Sequence, residues 1–220
     1  MRWFRTHALL TTNLLLFFLF LLGLVFTGHA QENNELAEHG QPPQSLTQYV
    51  GSSSFGEAVF ENWESEFLQM GMYVLLTAYL VQKGSAESRA MDEPIPQDED
   101  PRDHRTDRNA PLPVRHGSEL VLRLYENSLA IAFGLVFLLS FWLHAATGAA
   151  AYSEEEQLHG SELVTTWQYM GTSQFWYESF QNWQSEFLAV AAIIGGSIYL
   201  RQRRSSQSKP VHAPHSATGG

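Results

Sequence analysis

The chain has 220 residues, no cysteine and a formal net charge of -10, and 44% of its residues are hydrophobic. The lack of cysteine excludes disulfides, thiol catalysis and cysteine-ligated metal centres, and the negative charge argues against a nucleic-acid partner. Apolar residues are concentrated in uncharged runs at 14–26 and 129–143, whereas residues 91–108 are mostly charged residues and proline. This segregation excludes a simple soluble domain and favours a membrane protein with polar loops.

The first apolar segment predicts a transmembrane helix at about 9–27. It reaches the roughly 20 residues that a helix needs to cross about 30 Å of hydrocarbon. Basic residues before it and the small residue Ala30 after it also fit a cleaved signal peptide. The apolar run exceeds the usual signal-peptide core of about 7 to 15 residues, and a counterpart recurs in mid-chain. We therefore expect a retained first span.

A small helical outer loop is predicted after this span. Residues 32–39 have helical composition and end at His39-Gly40, where glycine suits a left-handed helix terminus. Ser45 and Gln48 have the spacing of a capping box for a short helix.

The second span is predicted within a long helix over 55–82, with its cap among residues 52–54. Such a helix would be about 42 Å long at 1.5 Å per residue. Its apolar part is short, so its first turns are expected in the headgroup layer and the span at about 58–82.

A charged, proline-rich linker at 89–120 follows. With little to bury, it is expected to be disordered or loosely packed, and a tethered regulatory segment is the alternative. The small polar tail at 209–220 is also expected to be disordered.

The second half of the chain repeats this pattern, with spans predicted at about 124–147 and 178–201. The outer loop between them has helical composition over 153–159 and ends at His159-Gly160. Thr172 and Ser173 are the candidate caps of the last long helix.

The two halves are related by an internal repeat. Residues 48–88 align without a gap on residues 168–208 at a constant offset of 120, and the same offset carries Thr27-Gly28 onto Thr147-Gly148. A tandem duplication is therefore predicted. Identical residues in the centre of the alignment are Phe60 and Phe180, Asn62 and Asn182, Trp63 and Trp183, Ser65 and Ser185, Glu66 and Glu186, Phe67 and Phe187, and Leu68 and Leu188.

The basic residues predict the orientation of the chain. All 13 Lys and Arg lie before the first span, between the second and third spans, or after the fourth. The loops on the other side, 28–66 and 148–186, have no Lys or Arg and are rich in Glu. By the positive-inside rule, both termini and the linker are predicted to be cytoplasmic.

Each copy has an even number of spans, so both copies insert in the same orientation as parallel repeats. The predicted fold is an all-α membrane protein. Its four transmembrane helices form two tandem parallel repeats of a helical hairpin, at 1–88 and 121–208, with small helical outer loops.

The doubled Asn-Trp-x-Ser-Glu-Phe-Leu core at 62–68 and 182–188, together with the segment at 199–203, resembles an uncharacterised family of bacterial multi-pass membrane proteins catalogued as a domain of unknown function. The resemblance covers nearly the whole chain. It implies a location in the bacterial inner membrane and implies no chemistry.

A candidate polar membrane site consists of Glu66, Glu186, Asn62 and Asn182. Each Asn lies four residues before its Glu, so the two side chains share one helix face. Each Glu directly precedes apolar residues, where a carboxylate is costly unless it has a partner. We expect bonding to backbone groups or interfacial water, with ion or substrate contact as the alternative. If both Glu face the repeat axis, their mutual repulsion favours protonation of one.

Three further groups of residues are weaker candidates. Trp63 and Trp183 are expected in the aromatic belt at the headgroup level, with ligand stacking as the alternative. His144 is expected to make an interhelical hydrogen bond or to face the lumen, with a proton relay as the alternative. Glu156 and His159 have metal-ligand spacing, but a helix-end role is favoured and no metal site is predicted.

No catalytic motif is found, so the chain is predicted not to be an enzyme and to need no cofactor. A structural or partner-binding membrane bundle is the favoured function. A small channel or a proton- or cation-coupled carrier using Glu66 and Glu186 is the alternative, and a membrane enzyme is the third class. The expected partners are the bilayer and either a second copy or another membrane protein.

Overall fold

The computed structural model describes residues 2–90, 94–158 and 163–219, and its described side chains begin at Thr6 and omit Leu158. These residues form helices and turns without a strand. They divide into two compact units. The first unit contains Met1–Glu61 and Phe141–Trp176, and the second contains Asn62–Ser140 and Tyr177–Gly220.

Eight α-helices and two short 3-10 turns account for the secondary structure of the described residues. In chain order they are α1 (Arg2–Glu38), α2 (Leu46–Val50), α3 (Ser53–Tyr79), the 3-10 turns Pro96–Asp98 and Pro101–His104, α4 (Leu112–His116), α5 (Glu119–Glu126), α6 (Ser128–Leu158), α7 (Thr166–Tyr169) and α8 (Ser173–Tyr199).

Two of these helices, α1 and α6, are long and apolar enough to cross a membrane. Their qualifying segments are Thr6–Glu38 and Ser128–Gln157. The all-helical fold class is confirmed for the described residues, and two long apolar helices occur where the first and third spans are predicted.

Helix α1 continues past the predicted span without a break. It contains 37 residues, or about 55 Å at 1.5 Å per residue. No proline interrupts residues 27–31, and the single Gly28 costs only about 1 kcal/mol within a helix. The helix ends as predicted at Gly40, which has a left-handed φ of +69°.

The predicted capping box is confirmed and has a counterpart in the second copy. The Ser45 side chain accepts from the Gln48 amide, while the Gln48 side chain accepts from the Ser45 amide at 2.7 Å. Thr165 and Gln168 form the same pair, in which the Gln168 side chain accepts at 2.8 Å. The capping prediction for residues 45–48 therefore also describes the start of α7. The predicted helix end at His159-Gly160 lies outside the described residues.

Helices α3 and α8 also begin where the caps predict. The Ser52 hydroxyl accepts from the Phe55 amide at 3.2 Å, and the Thr172 hydroxyl accepts from the Phe175 amide at 3.3 Å. Each helix contains 27 residues, or about 40 Å at 1.5 Å per residue. Both end three residues or fewer before the predicted limits.

The repeated glycines are explained by a close contact in the first unit. A Cβ atom at Gly28 would lie 2.0 Å from the Tyr49 hydroxyl oxygen, and one at Gly148 would lie 2.6 Å from Tyr169 Cε1. Both tyrosines are buried, with 3% and 0% of their surface exposed. Glycine is therefore required in each copy so that a tyrosine ring can pack against the long helix.

The apolar core of the first unit is small and aromatic. Ala145, Ala149, Tyr169 and Phe175 form its buried cluster. The Tyr169 and Phe175 rings make an edge contact with centroids 5.6 Å apart. These residues come from the second copy, so α6, α7 and the start of α8 provide this core.

The third predicted span begins later than expected. Residues 119–126 form the separate helix α5, and α6 begins at Ser128 rather than near 124. Asn127 separates the two helices, because its side chain donates to the Arg123 carbonyl at 2.9 Å and its backbone caps α5. Asparagine favours such local bonding over continuation of a helix.

The linker contains more regular structure than its composition indicates. Proline begins both 3-10 turns and directly precedes α4, which suits the fixed φ of proline. The Arg102 guanidinium contacts the carboxylates of Asp100 at 3.0 Å and Glu126 at 3.2 Å, and also that of Glu119. These ion pairs are exposed, so each contributes only about 0–1 kcal/mol.

The carboxy-terminal tail differs most from its composition, because a buried lysine organises it. Lys209 is only 1% exposed, and its ammonium donates to the carbonyls of Gly84, His215 (2.9 Å) and Ala217 (2.9 Å). Burial, aided by the positive charge of Arg201, lowers the pKa of Lys209. A buried charge requires such partners, and the ring of carbonyls supplies them.

The tail also contacts the turn that follows α3. The Gly84 amide donates to the Thr218 hydroxyl at 2.9 Å, and the Gly219 amide donates to the Ser85 carbonyl at 2.9 Å. The Ser85 hydroxyl lies 2.9 Å from that of Ser197 near the end of α8. Polar backbone bonding, rather than apolar burial, therefore orders this tail.

Candidate functional site

The doubled motif places one carboxylate in the interior of the second unit. Glu64 is completely buried in α3, whereas Glu66 is exposed. Glu186 of α8 is half-buried. The sequence nominates Glu66 and Glu186 because both copies retain them, and it does not nominate Glu64, whose counterpart is Gln184.

The buried carboxylate has a tryptophan partner. Trp183 Nε1 donates to Glu64 Oε1 at 2.9 Å. The Trp183 ring also makes edge contacts with Phe180 and Phe137, with centroids 5.5 and 6.4 Å apart. Trp183 is half-buried, so the structure places it as an interior hydrogen-bond donor, while Trp63 of the first copy is 36% exposed.

A second polar contact joins α3 to α8 in this unit. Gln69, which is 8% exposed, donates from Nε2 to the Glu186 carbonyl at 2.9 Å. Glu186 thus accepts through its backbone. Asn182 donates to the Glu178 carbonyl at 3.3 Å, one turn earlier in α8, whereas Asn62 is exposed.

Glu66 and Glu186 lie close enough for their charges to repel each other. The structure thus places both predicted residues in the second unit, with an electrostatic interaction between them. Glu64, two residues before Glu66, is buried, whereas Glu66 is exposed, because the two residues lie on nearly opposite faces of α3.

A different polar cluster lies in the first unit, and we call Glu57, His144 and Tyr169 the Glu57 cluster. The Tyr169 hydroxyl donates to Glu57 Oε1 at 3.1 Å. A carboxylate oxygen of Glu57 and a ring nitrogen of His144 lie within 4.8 Å of each other. His144 is completely buried and stacks on Phe175, with ring centroids 4.9 Å apart.

Sequence reasoning found only His144 in this cluster. It missed Glu57 and Tyr169, because both lie outside the uncharged runs that mark the spans. One signal was present in the sequence, because a glycine repeated within both long helices, at 28 and 148, is consistent with close packing of another group there. Gly148 has Glu57 as well as Tyr169 for a neighbour, since a Cβ atom there would lie 2.8 Å from Glu57 Oε1.

The first unit also has an open pocket of about 510 Å³ near the end of α6. Its lining includes Ala149, Ser153, Glu154 and Thr165. In the first copy the residue equivalent to Ala149 is His29. Its ring nitrogen Nε2 lies 2.8 Å from the carbonyl oxygen of Gln44. The small side chain at 149 therefore leaves space that an imidazole fills in the other copy. His159, the other half of the predicted metal-ligand spacing with Glu156, lies outside the described residues.

Comparison with known proteins gives one match. A family model described as "Domain of unknown function (DUF6766)" matches residues 1–220. No curated protein and no solved structure matches the chain. The family match confirms the resemblance found from the doubled motif, and it assigns no chemistry.

Proposed function

Because the chain belongs to the DUF6766 family, whose function is unknown, we propose its function from its own residues. The protein is a four-span protein of the bacterial inner membrane that serves as a structural or partner-binding helical bundle. Both termini are cytoplasmic. The proposal includes no catalytic step and no cofactor.

The observation that carries this proposal is the exposure of apolar side chains along the first half of α1. Leu9, Leu10, Leu15 and Phe20 are 79%, 63%, 66% and 69% exposed. Successive residues there are exposed on all sides of the helix, and a surface of this kind in a soluble protein would be an aggregation hazard. Hydrocarbon is the environment in which such a surface is stable.

Helix α6 has the same property over part of its surface. Leu135, Leu138 and Leu139 are 62%, 60% and 58% exposed, although α6 also contributes to buried contacts. The bilayer is therefore the partner that α1 and α6 require. A second copy or another membrane protein would contact these same helices.

Helices α3 and α8 are the other two spans of the proposal. Each is about 40 Å long at 1.5 Å per residue, which exceeds the roughly 30 Å of hydrocarbon. Their second halves expose apolar residues such as Leu75, Leu76, Leu188 and Ile193. Their first halves, which contain all of their Glu residues, would lie partly in the headgroup layer on the outer side.

Helix α5 supports membrane contact on the cytoplasmic side. Leu120 and Leu124 are 67% and 52% exposed, whereas Glu119 and Arg123 of the same helix take part in ion pairs. An amphipathic helix of this kind suits the headgroup boundary.

The first test is membrane topology. Reporter fusions after Ser88 and at the carboxyl end are expected to read cytoplasmic, and insertions near Gln44 and Gly160 are expected to read external. The physical reason is that every Lys and Arg lies on one side of the predicted spans. Activities of paired alkaline phosphatase and fluorescent-protein fusions would measure this, and an external reading at Ser88 would contradict the four-span proposal.

A proton- or cation-coupled carrier is the second candidate, because both copies of the motif retain a Glu at the start of an apolar segment, Glu66 and Glu186. Proton flux into proteoliposomes, driven by a potassium diffusion potential and followed with an internal pH dye, separates the two functions. A structural bundle is expected to give the flux of protein-free vesicles. A carrier gives a higher flux that Glu66→Gln and Glu186→Gln abolish and that the exposed control Glu35→Gln leaves unchanged.

A further inference from the structure

We propose that Glu57 and His144 in the first unit bind one divalent first-row transition metal ion, with Zn²⁺ as the representative ion. Tyr169 orients the Glu57 carboxylate for this role. The proposal uses residues of the first unit alone, and it does not depend on the four-span topology.

The separation of the two ligand atoms fits a shared ion. A metal ion binds imidazole nitrogen at about 2.0–2.1 Å and carboxylate oxygen at about 2.0–2.2 Å, so it holds the two atoms roughly 3.0–4.2 Å apart. The Glu57 oxygen and the His144 nitrogen lie within 4.8 Å of each other. At most a small side-chain rotation is needed for both to reach one ion.

The surroundings fix both ligands before an ion binds. Phe175 stacks on the imidazole with centroids 4.9 Å apart, which restricts rotation of the buried His144 ring. The Tyr169 hydroxyl holds the carboxylate through its 3.1 Å hydrogen bond, the kind of outer-shell contact that orients metal ligands. Gly148 provides the space, because any side chain there would collide with both Glu57 and Tyr169.

The donor atoms indicate the class of ion. Imidazole suits Zn²⁺, Fe²⁺, Cu²⁺ and Ni²⁺, whereas sites that contain only oxygen suit Mg²⁺ and Ca²⁺. One nitrogen and one oxygen donor therefore favour a transition metal over Mg²⁺. Burial strengthens the attraction of a cation to the carboxylate, because the effective dielectric constant is lower than in water.

The two copies of the repeat provide an independent argument. At an offset of 120, the counterparts of Glu57 and His144 are Tyr177 and Leu24, while the counterpart of Tyr169 is Tyr49. The packing tyrosine is thus present in both copies. The positions equivalent to the two potential metal ligands hold Tyr177 and Leu24, neither of which is a carboxylate or an imidazole. The carboxylate and the imidazole therefore occur together at one of two equivalent places, which is the pattern of a specialised site.

The test uses the full-length protein in detergent, prepared without a histidine tag and stripped of metals by a chelator. Isothermal titration with Zn²⁺ and Mg²⁺, together with elemental analysis after dialysis, measures affinity and stoichiometry. Wild type is expected to retain one Zn²⁺ per chain and to bind Mg²⁺ at least tenfold more weakly. Tyr169→Phe is expected to weaken binding roughly tenfold, as outer-shell changes do.

Glu57→Gln and His144→Leu are each expected to abolish the retained ion, and His144→Leu installs the residue of the first copy. The matched control is Glu35→Gln with His39→Leu, a carboxylate and an imidazole four residues apart at the end of α1 and just after it, and it should bind like wild type. Glu57→Gln keeps an oxygen acceptor for Tyr169, so it remains decisive if His144→Leu does not fold. Failure of wild type to retain an ion, or retention by Glu57→Gln, overturns the proposal.

Discussion

Replacing Glu64 with alanine is expected to lower the free energy of unfolding by about 2–4 kcal/mol, because it leaves a cavity and removes the acceptor of the Trp183 indole. Glu64 is completely buried, and its 2.9 Å bond to Trp183 Nε1 joins α3 to α8 within the second unit. Unfolding in mixed micelles with increasing SDS, followed by far-ultraviolet circular dichroism, would measure the change.

Two variants control this measurement. Glu64→Gln preserves the volume and an acceptor oxygen, so the expected change is within about 1 kcal/mol of wild type. Glu66→Gln changes an exposed carboxylate two residues away and is expected to stay within about 0.5 kcal/mol. If Glu64→Ala were as stable as Glu66→Gln, the buried carboxylate would contribute nothing to the packing of the two helices.

The second large effect is expected for Tyr169→Ala, which should cost about 3–5 kcal/mol, as truncation of large buried aromatic residues does. Tyr169 has no exposed surface, contacts the rings of Phe175 and Tyr152, and bonds to Glu57. The same unfolding measurement in mixed micelles applies.

The repeat supplies the comparison for this variant. Tyr49 is the counterpart of Tyr169 and is 3% exposed, so Tyr49→Ala is also expected to destabilise the protein strongly. Tyr79 is 76% exposed, and Tyr79→Ala should change stability by no more than about 0.5 kcal/mol. Equal effects of Tyr169→Ala and Tyr79→Ala would contradict the packing of Tyr169 against Gly148.

The helix starts could be predicted from the sequence, because capping is a local interaction. Ser45, Gln48 and Ser52 each bond to backbone groups within three residues, so their spacing alone indicates the geometry. The long helices were also predictable from their apolar runs. The separate helix α5 was not, because the residues on both sides of Asn127 suit a helix, and the break depends on the hydrogen bond that the Asn127 side chain makes.

The buried carboxylate could not be predicted from the repeat. Residues two apart on a helix differ by about 200° around its axis, so Glu64 and Glu66 lie on nearly opposite faces. Retention of Glu66 in both copies indicated a constant polarity at that position, but burial depends on which face meets another helix. The rotation of α3 about its own axis decides which face is buried. Contacts such as the hydrogen bond from Gln69 to the Glu186 carbonyl set this rotation, and they join residues 117 positions apart.

The Glu57 cluster was beyond sequence reasoning for the same reason. Glu57 and Tyr169 are 112 residues apart in the chain, and no periodic pattern pairs them. His144 was noticed only because it interrupts an apolar run. Its proximity to the Glu57 carboxylate could not be predicted from the sequence. Gly148 has no side chain, and therefore Glu57 and the Tyr169 ring can both pack against α6 at this position.

The ring of carbonyls around Lys209 can form only after the end of the chain has been synthesised. Synthesis proceeds from the amino terminus, so the turn at Gly84 and Ser85 leaves the ribosome more than a hundred residues before the lysine and Gly219 that complete its hydrogen bonds. The turn that follows α3 is therefore completed last, after the whole second copy has been made. A chain that stops short of its final dozen residues carries every hydrophobic segment and still lacks this closure.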